Sequence, residues 1–146
     1  MAEFVIYNPI QKPTQIEKRE VANFLHKHLE EYGDPLKDIL KAIDYSVKEF
    51  SSFGGFTIML KEVGEIKGAC VVNQTGMGGY IPENILVYIA TNKADRGKGY
   101  GKTLVNKVIE LSQGDIALHV EHNNPAKFLY EKVGFTNPYL EMRLKK

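Results

Sequence analysis

Cysteine is nearly missing from this chain. Cys70 stands alone among 146 residues, so no internal disulfide can form, and its place in an apolar strand pattern makes it a small buried hydrophobe. No apolar run is long enough to span a bilayer, and no basic-then-apolar segment opens the chain. A cytoplasmic protein, neither secreted nor membrane-embedded, is expected. Charge of one sign is lacking too: 19 Lys and Arg offset 18 Asp and Glu, a net charge of +1, which argues against nucleic acid or an anionic membrane as partner. His26 and His28 lie in a helical pattern and His119 and His122 have no partners at ligand spacing, so no metal site is expected. Repeats, linkers and low-complexity tracts are absent. The length suits one domain, 1–146, burying about two thirds of its unfolded surface.

What is present reads as alternating elements. Residues 4–7 form a short strand closed by Asn8-Pro9. A helix is expected from Pro13-Thr14 to Gly33, with Val21, Leu25, Leu29 and Tyr32 on one side. Asp34 as cap and Pro35 in the first turn start a second, whose stripe of Leu36, Ile39, Leu40, Ile43, Val47 and Phe50 runs to Ser51-Ser52. The period then becomes extended: residues 57–60 and 66–72 make a hairpin around Val63-Gly64-Glu65. Three glycines make 76–80 a loop. Residues 85–90 are a buried strand, a helix follows to about Gln113 with Gly114 after it, and 116–120 are a further strand. Asn124 caps a short helix with Pro125 as its first residue and Gly134 as its end; 135–139 and 140–144 are the last strands. A hairpin feeding one parallel pair through a crossover helix gives a mixed α/β sheet, unlike a doubly wound parallel one.

Between the buried strand and its helix lies Arg96-Gly97-Lys98-Gly99-Tyr100-Gly101-Lys102-Thr103. Strand, glycine-rich turn and helix make an anion site, because glycines let the backbone approach a ligand and the first free amides of the helix, with its positive dipole end, point at it. A P-loop fails by one position, since its first glycine falls on Arg96. A dinucleotide fingerprint fails too: Lys102 replaces the third glycine, leaving Glu121 as its one support.

The pattern Arg/Gln-x-x-Gly-x-Gly/Ala is met in full by Arg96, Gly99 and Gly101, and in this the chain resembles the GNAT superfamily of acyl-CoA N-acetyltransferases. A second block supports the resemblance: Asn-x-x-Ala-x-x-Leu-Tyr-x-Lys-x-Gly-Phe is matched by Asn123, Ala126, Leu129, Tyr130, Lys132, Gly134 and Phe135. The element order matches over the whole chain. The resemblance implies a fold of about seven strands flanked by four helices, with two parallel strands splayed apart, and an acetyl-CoA-dependent transfer of an acetyl group to a primary amine of a small molecule or a protein or peptide.

It also implies roles. Backbone amides from Gly97 through Lys98, Gly99, Tyr100 and Gly101 to Lys102 would hold the pyrophosphate of CoA, helped by the Arg96 guanidinium. Lys98 and Lys102 would reach the 3′-phosphate or form a solvated basic face. The pantetheine arm would pair along Ile89, Ala90 and Thr91, near Asn123 and Ala126, and an amide of Ile89 or Ala90 would face the acyl oxygen. Tyr130 would give a proton to the leaving sulfur. Some relatives place an acid where this chain has Ile85, so Glu83, two residues away on the same face, is the candidate base, with Glu121, His119 or a water as alternatives. The acceptor would lie against the two early helices and loop 76–80, where Phe24, Tyr32, Tyr45 and Phe53 either meet an apolar arm of the acceptor or form core. A monomer or homodimer is expected. Two other readings remain open: an acyl-CoA-binding module or sensor with little turnover, and a nucleotide-binding protein.

Overall fold

The computed structural model describes residues 2–146. Strand β1 (Ala2–Tyr7) precedes helices α1 (Gln15–Leu29) and α2 (Leu36–Ser46); β2 (Gly55–Glu62), β3 (Glu65–Gln74) and β4 (Asn84–Thr91) follow. Helix α3 (Tyr100–Leu111), β5 (Ile116–Ala117) and α4 (Ala126–Lys132) complete the order. The five strands stand in the sheet in chain order, antiparallel up to β4, while β4 and β5 run parallel.

Period-two patterning sends alternate side chains to two helical layers. Phe56, Ile58, Leu60, Cys70 and Val72 pack with Leu104 and Val108 of α3. Met59, Ala69 and Val71 pack on the other face with Val21, Leu25, Ile39 and Ile43 of α1 and α2. Full burial of each such aliphatic side chain contributes roughly 2 kcal/mol. Cys70 is fully buried and burial pushes its thiol up to about 12, so it serves as packing. A capping box starts α1, in which the Glu17 amide donates to the Thr14 hydroxyl (3.1 Å) and the Thr14 amide to the Glu17 carboxylate (2.8 Å).

Several expectations need correction. Helix α2 stops at Ser46 rather than at Ser51-Ser52, because Lys48 adopts φ +58. Pro35, not Asp34, occupies its cap, and Asp34 accepts a bond from Tyr88 instead. Helix α3 stops at Leu111. Among the described residues there are five strands rather than seven: β5 is two residues long, since beyond Ala117 no described neighbour pairs with it, and residues 136–146 are exposed and belong to no strand.

Candidate active site

Strands β4 and β5 pair at only two positions, Asn84 with Ile116 and Ile85 with Ala117. Their closed end is stapled. The Asn84 amide donates to the Asp115 carbonyl (3.0 Å), the Asn84 side chain to the Gln113 carbonyl (2.8 Å), and the Asp115 amide to Glu83 Oε1 (2.7 Å). Just past this end β4 carries a bulge. Val71 pairs with Tyr88 and Val72 with Leu86, which leaves Val87 as an extra residue. Bulges bend a strand and increase its twist, and from here the two parallel strands part.

The open edge of β4 therefore has unpaired backbone. Asn92 donates its amide to the Lys67 carbonyl (2.9 Å), toward β3. Hydrogen-bonding direction alternates along a strand, so Ala90 also turns its amide to β3, whereas the amides of Ile89 and Thr91 face the gap. Of the two residues expected to present an amide to an acyl oxygen, Ile89 has the right phase and Ala90 does not.

At the wide end of the gap the chain turns into α3. Gly97 and Gly99 hold φ +86 and +89, which a side chain would strain, and Gly99 is the cap of α3. The amides of Gly97, Gly99, Tyr100, Gly101 and Lys102 have no backbone acceptor among the described residues, while that of Lys98 donates to the Asp95 carbonyl (3.3 Å). Gly101 is set by close packing: a Cβ there would stand 3.1 Å from Leu129 of α4 and 3.7 Å from Thr91. Glycine at this point lets α4, α3 and the end of β4 converge.

Side chains brace this loop. Arg96 donates to the His28 carbonyl and pairs with Glu30 Oε1, both at 3.0 Å, so its guanidinium is engaged with the end of α1. Lys93 pairs with Glu30 as well, and its amide donates to His28 Nδ1 (3.1 Å). Hydrogen bonds from Lys93 and then Arg96 hold the Glu30 carboxyl below the usual range. Burial is the main cause that lowers His28. Asp95, 8 % exposed, takes bonds from Lys67 and Lys98, each at 3.0 Å, and these hold its carboxyl low. Lys102 makes no ion pair among the described residues. The Tyr100 hydroxyl reaches back to Glu62 (3.0 Å).

Tyr130, on α4, is 8 % exposed, yet its hydroxyl makes no hydrogen bond among the described residues. Burial pushes it up to about 12, with the Cys70 thiol adding to the effect. Ala126 opens α4 with Pro125, not Asn124, at its cap position; Asn124 stands one residue earlier, where its side chain accepts from the Ala126 amide (2.9 Å). Asn123 is exposed and its carbonyl accepts from the Tyr32 hydroxyl (3.3 Å), joining the α1–α2 connection to the β5–α4 one.

Glu83 stands away from the open part of the gap. It sits at the stapled end, and Ile89 lies six residues on, one of them the bulge, so roughly 17 Å along the strand. Its carboxylate is occupied by the Asp115 amide, which is the main cause holding its pKa low. Of the four aromatics expected around an acceptor, Phe24 is core, Tyr32 donates to the Asn123 carbonyl (3.3 Å), Tyr45 donates to the Gln74 carbonyl (2.6 Å) and Phe53 lies against Gly76. Sequence reading missed the bracing pair His28 and Glu30 and the staple Asn84, whose partners are distant in sequence. It also missed the Tyr88 hydroxyl bound to Asp34 (2.5 Å), where burial and then Asp34 raise the tyrosine.

A gap lined by free strand amides and ending on a ring of helix amides suits an extended ligand with an anionic head. Residues 54–137, more than half of the chain, match the family model described as acetyltransferase (GNAT) domain. This chain belongs to the GNAT acetyltransferase family. Among solved structures, the fold is similar to aminoglycoside N-acetyltransferase AAC(6')-Iy in complex with CoA, at 12% identity and TM-score 0.72 over 100% of this chain and 95% of that one. It is similar to a transcriptional regulator from Bacillus halodurans C-125, at 21% identity and TM-score 0.68, covering 99% of this chain and 100% of that one. A ribosomal-protein-alanine N-acetyltransferase from Brucella melitensis biovar Abortus 2308 aligns over 100% of both chains at 14% identity and TM-score 0.65. No curated protein matches the sequence.

Proposed function

We propose that this protein transfers an acetyl group from acetyl-CoA to a primary amine of a small molecule or peptide. The observation that carries the proposal is the parting of β4 and β5 after two residue pairs, which leaves the Ile89 and Thr91 amides open beside the glycine loop. The residues fit CoA. Orphaned strand amides suit its amide-bearing arm, the amides from Gly97 to Lys102 suit its pyrophosphate, and Lys102 is a free cation for a further phosphate. When bound, acetyl-CoA supplies an acyl group already activated as a thioester.

The chain's own residues do the rest. The Ile89 amide donates to an acyl oxygen, a kind of contact worth about 3 kcal/mol in comparable sites. Tyr130 holds its phenolic proton at neutral pH, because its pKa is pushed up to about 12, and gives it to the departing sulfur. The attacking amine, with an ordinary pKa near 10.4, has to lose a proton first. Glu83 is engaged elsewhere, so we assign this step to a water, which passes the proton to solvent. Acceptors with a primary amine accord with the aminoglycoside and ribosomal-protein-alanine N-acetyltransferases that share the fold.

One observation favours a second reading, a binding module without turnover: β4 has no carboxylate at Ile85, and Glu83 is tied to Asp115. Calorimetry with CoA, ATP and NAD, followed by thiol release from acetyl-CoA with a panel of amines, tests both. CoA binding with thiol release supports the enzyme, and CoA binding without it supports the module. Preference for ATP or NAD over CoA overturns both.

A further inference from the structure

Of the four histidines only His28 is buried; His26, His119 and His122 are exposed and make no hydrogen bond among the described residues. His28 is the last residue but one of α1, with its ring against Phe24, centroids 4.5 Å apart. The segment that leads into the glycine loop grips it twice. The Lys93 amide donates to Nδ1 (3.1 Å), and the Arg96 guanidinium donates to the His28 carbonyl (3.0 Å). Neighbouring donors of this turn look to Asn92: the Ala94 amide bonds its side chain (3.0 Å) and the Asp95 amide its carbonyl (2.9 Å). The imidazole is therefore the one acceptor of the Lys93 amide among the described residues.

An amide can donate to a ring nitrogen only while that nitrogen keeps its lone pair, so the ring's own proton stands on Nε2. A proton arriving from solvent takes up the Nδ1 lone pair. Two N–H groups then face each other, and the Lys93 amide is left without a partner in a place largely closed to water, where an unmade bond is costly. The surroundings resist that proton. Burial first, then Lys27 on the same helix and Arg96 and Lys93 from the loop, act against it, with Glu30 alone in its favour. The carboxylates of the brace stay ionised well into acid, since Lys93 and then Arg96 hold Glu30 low, and Lys67 and then Lys98 hold Asp95 low. Mild acid therefore reaches the brace through His28.

We propose that His28 is a positioning residue for the glycine loop and makes the hold on CoA sensitive to protons. Neutral, its ring fixes residues 93–96 and through them the amides from Gly97 to Lys102. Protonated, it releases the Lys93 amide, and the amides that follow lose their fixed aim. The inference rests on the reading of this loop as the seat of the CoA pyrophosphate. It gives His28 no part at the acyl group. Affinity for CoA should be full above the ordinary histidine value near 6.5 and fall as pH drops through the lower value that burial gives this ring.

Calorimetry with CoA from about pH 7.5 down to about pH 5 tests this on the parent and on His28→Asn, whose side-chain oxygen accepts near the Nδ1 position and does not titrate. Over that range the parent should lose about tenfold more affinity than the variant, the size of one buried donor left unpaired. Protonation of the CoA phosphate monoester, with a pKa near 6, weakens both alike and cancels in the comparison. His28→Leu, which keeps an apolar group on Phe24 and has no acceptor, should bind about tenfold more weakly than the parent at neutral pH and share the shallow slope of His28→Asn. In the free parent, the Lys93 amide resonance should titrate together with the His28 ring. Parallel slopes, an affinity that rises in acid as a charged ring attracts phosphate, or a Lys93 amide indifferent to the ring would each overturn the proposal, the last without need of any variant. Absence of CoA binding at every pH, with the Lys93 titration intact, would overturn the CoA reading and keep the ring's control of the loop.

Discussion

Glu30 and Arg96 meet at 3.0 Å, and through this pair the end of α1 holds the glycine loop. Glu30 adopts φ +55, a conformation a non-glycine residue keeps only where its surroundings enforce it. If the guanidinium serves mainly to brace the loop, Arg96→Ala and Glu30→Gln should weaken CoA binding by similar factors of about three to ten, the range of one charge-assisted bond. Titration calorimetry of the two variants decides this. A far greater loss for Arg96→Ala alone would mark direct contact with phosphate.

Gly101 has room for one methyl and little more. In Gly101→Ala the new methyl stands 3.1 Å from a flexible leucine end, and a helix-propensity gain of about 1 kcal/mol offsets the crowding. Melting temperature should hardly change. Gly101→Val should lower it by several degrees through overpacking of about 1–3 kcal/mol against Leu129 and Thr91. CoA affinity should fall with it, as α3 is pushed from the end of β4.

Tyr130→Phe removes a hydroxyl that bonds no group among the described residues, so stability should hold or rise slightly. Turnover should fall by about 10²-fold or more while the CoA dissociation constant changes little. The sign of the pH effect follows from a folded pKa of about 12, above the ordinary tyrosine value near 10. Stability from the neutral phenol is fully present below about 10 and is lost as pH rises toward 12, so no alkaline loss of rate below pH 10 should trace to this residue. Rate-pH profiles of parent and variant check it.

Asp95 and Glu30 behave in the opposite sense. Lys67 and Lys98 hold the first low, and Lys93 and Arg96 the second. Each stabilises the fold above its unfolded pKa, near 4, and that contribution disappears as pH falls through the lower folded value. Asp95→Asn should melt earlier than the parent at pH 7 and match it increasingly closely below about pH 4. Differential scanning calorimetry across that range measures the convergence.

Much of this could be read from the chain because its signals are local. The Thr14–Glu17 box, the Val63-Gly64 hairpin turn, the alternation in β2 and β3 and the glycines before α3 all announce themselves within a few residues. Where expectation failed, distant partners decided. Nothing near Glu83 foretells its capture by the Asp115 amide, and nothing near Asp34 foretells the Tyr88 hydroxyl. Strands were expected beyond Phe135 because the tail alternates, but alternation gives a face to bury and not the neighbour that buries it.

Val87 carries an implication for length. Both halves of β4 keep correct register with β3 on either side of it, so excising this one valine would disturb neither pairing and would subtract no group that meets a ligand. What would vanish is the bend. A chain shortened to 145 residues in this way should fold, straighten its fourth strand, zip that strand onto its parallel neighbour, and lose the coenzyme altogether.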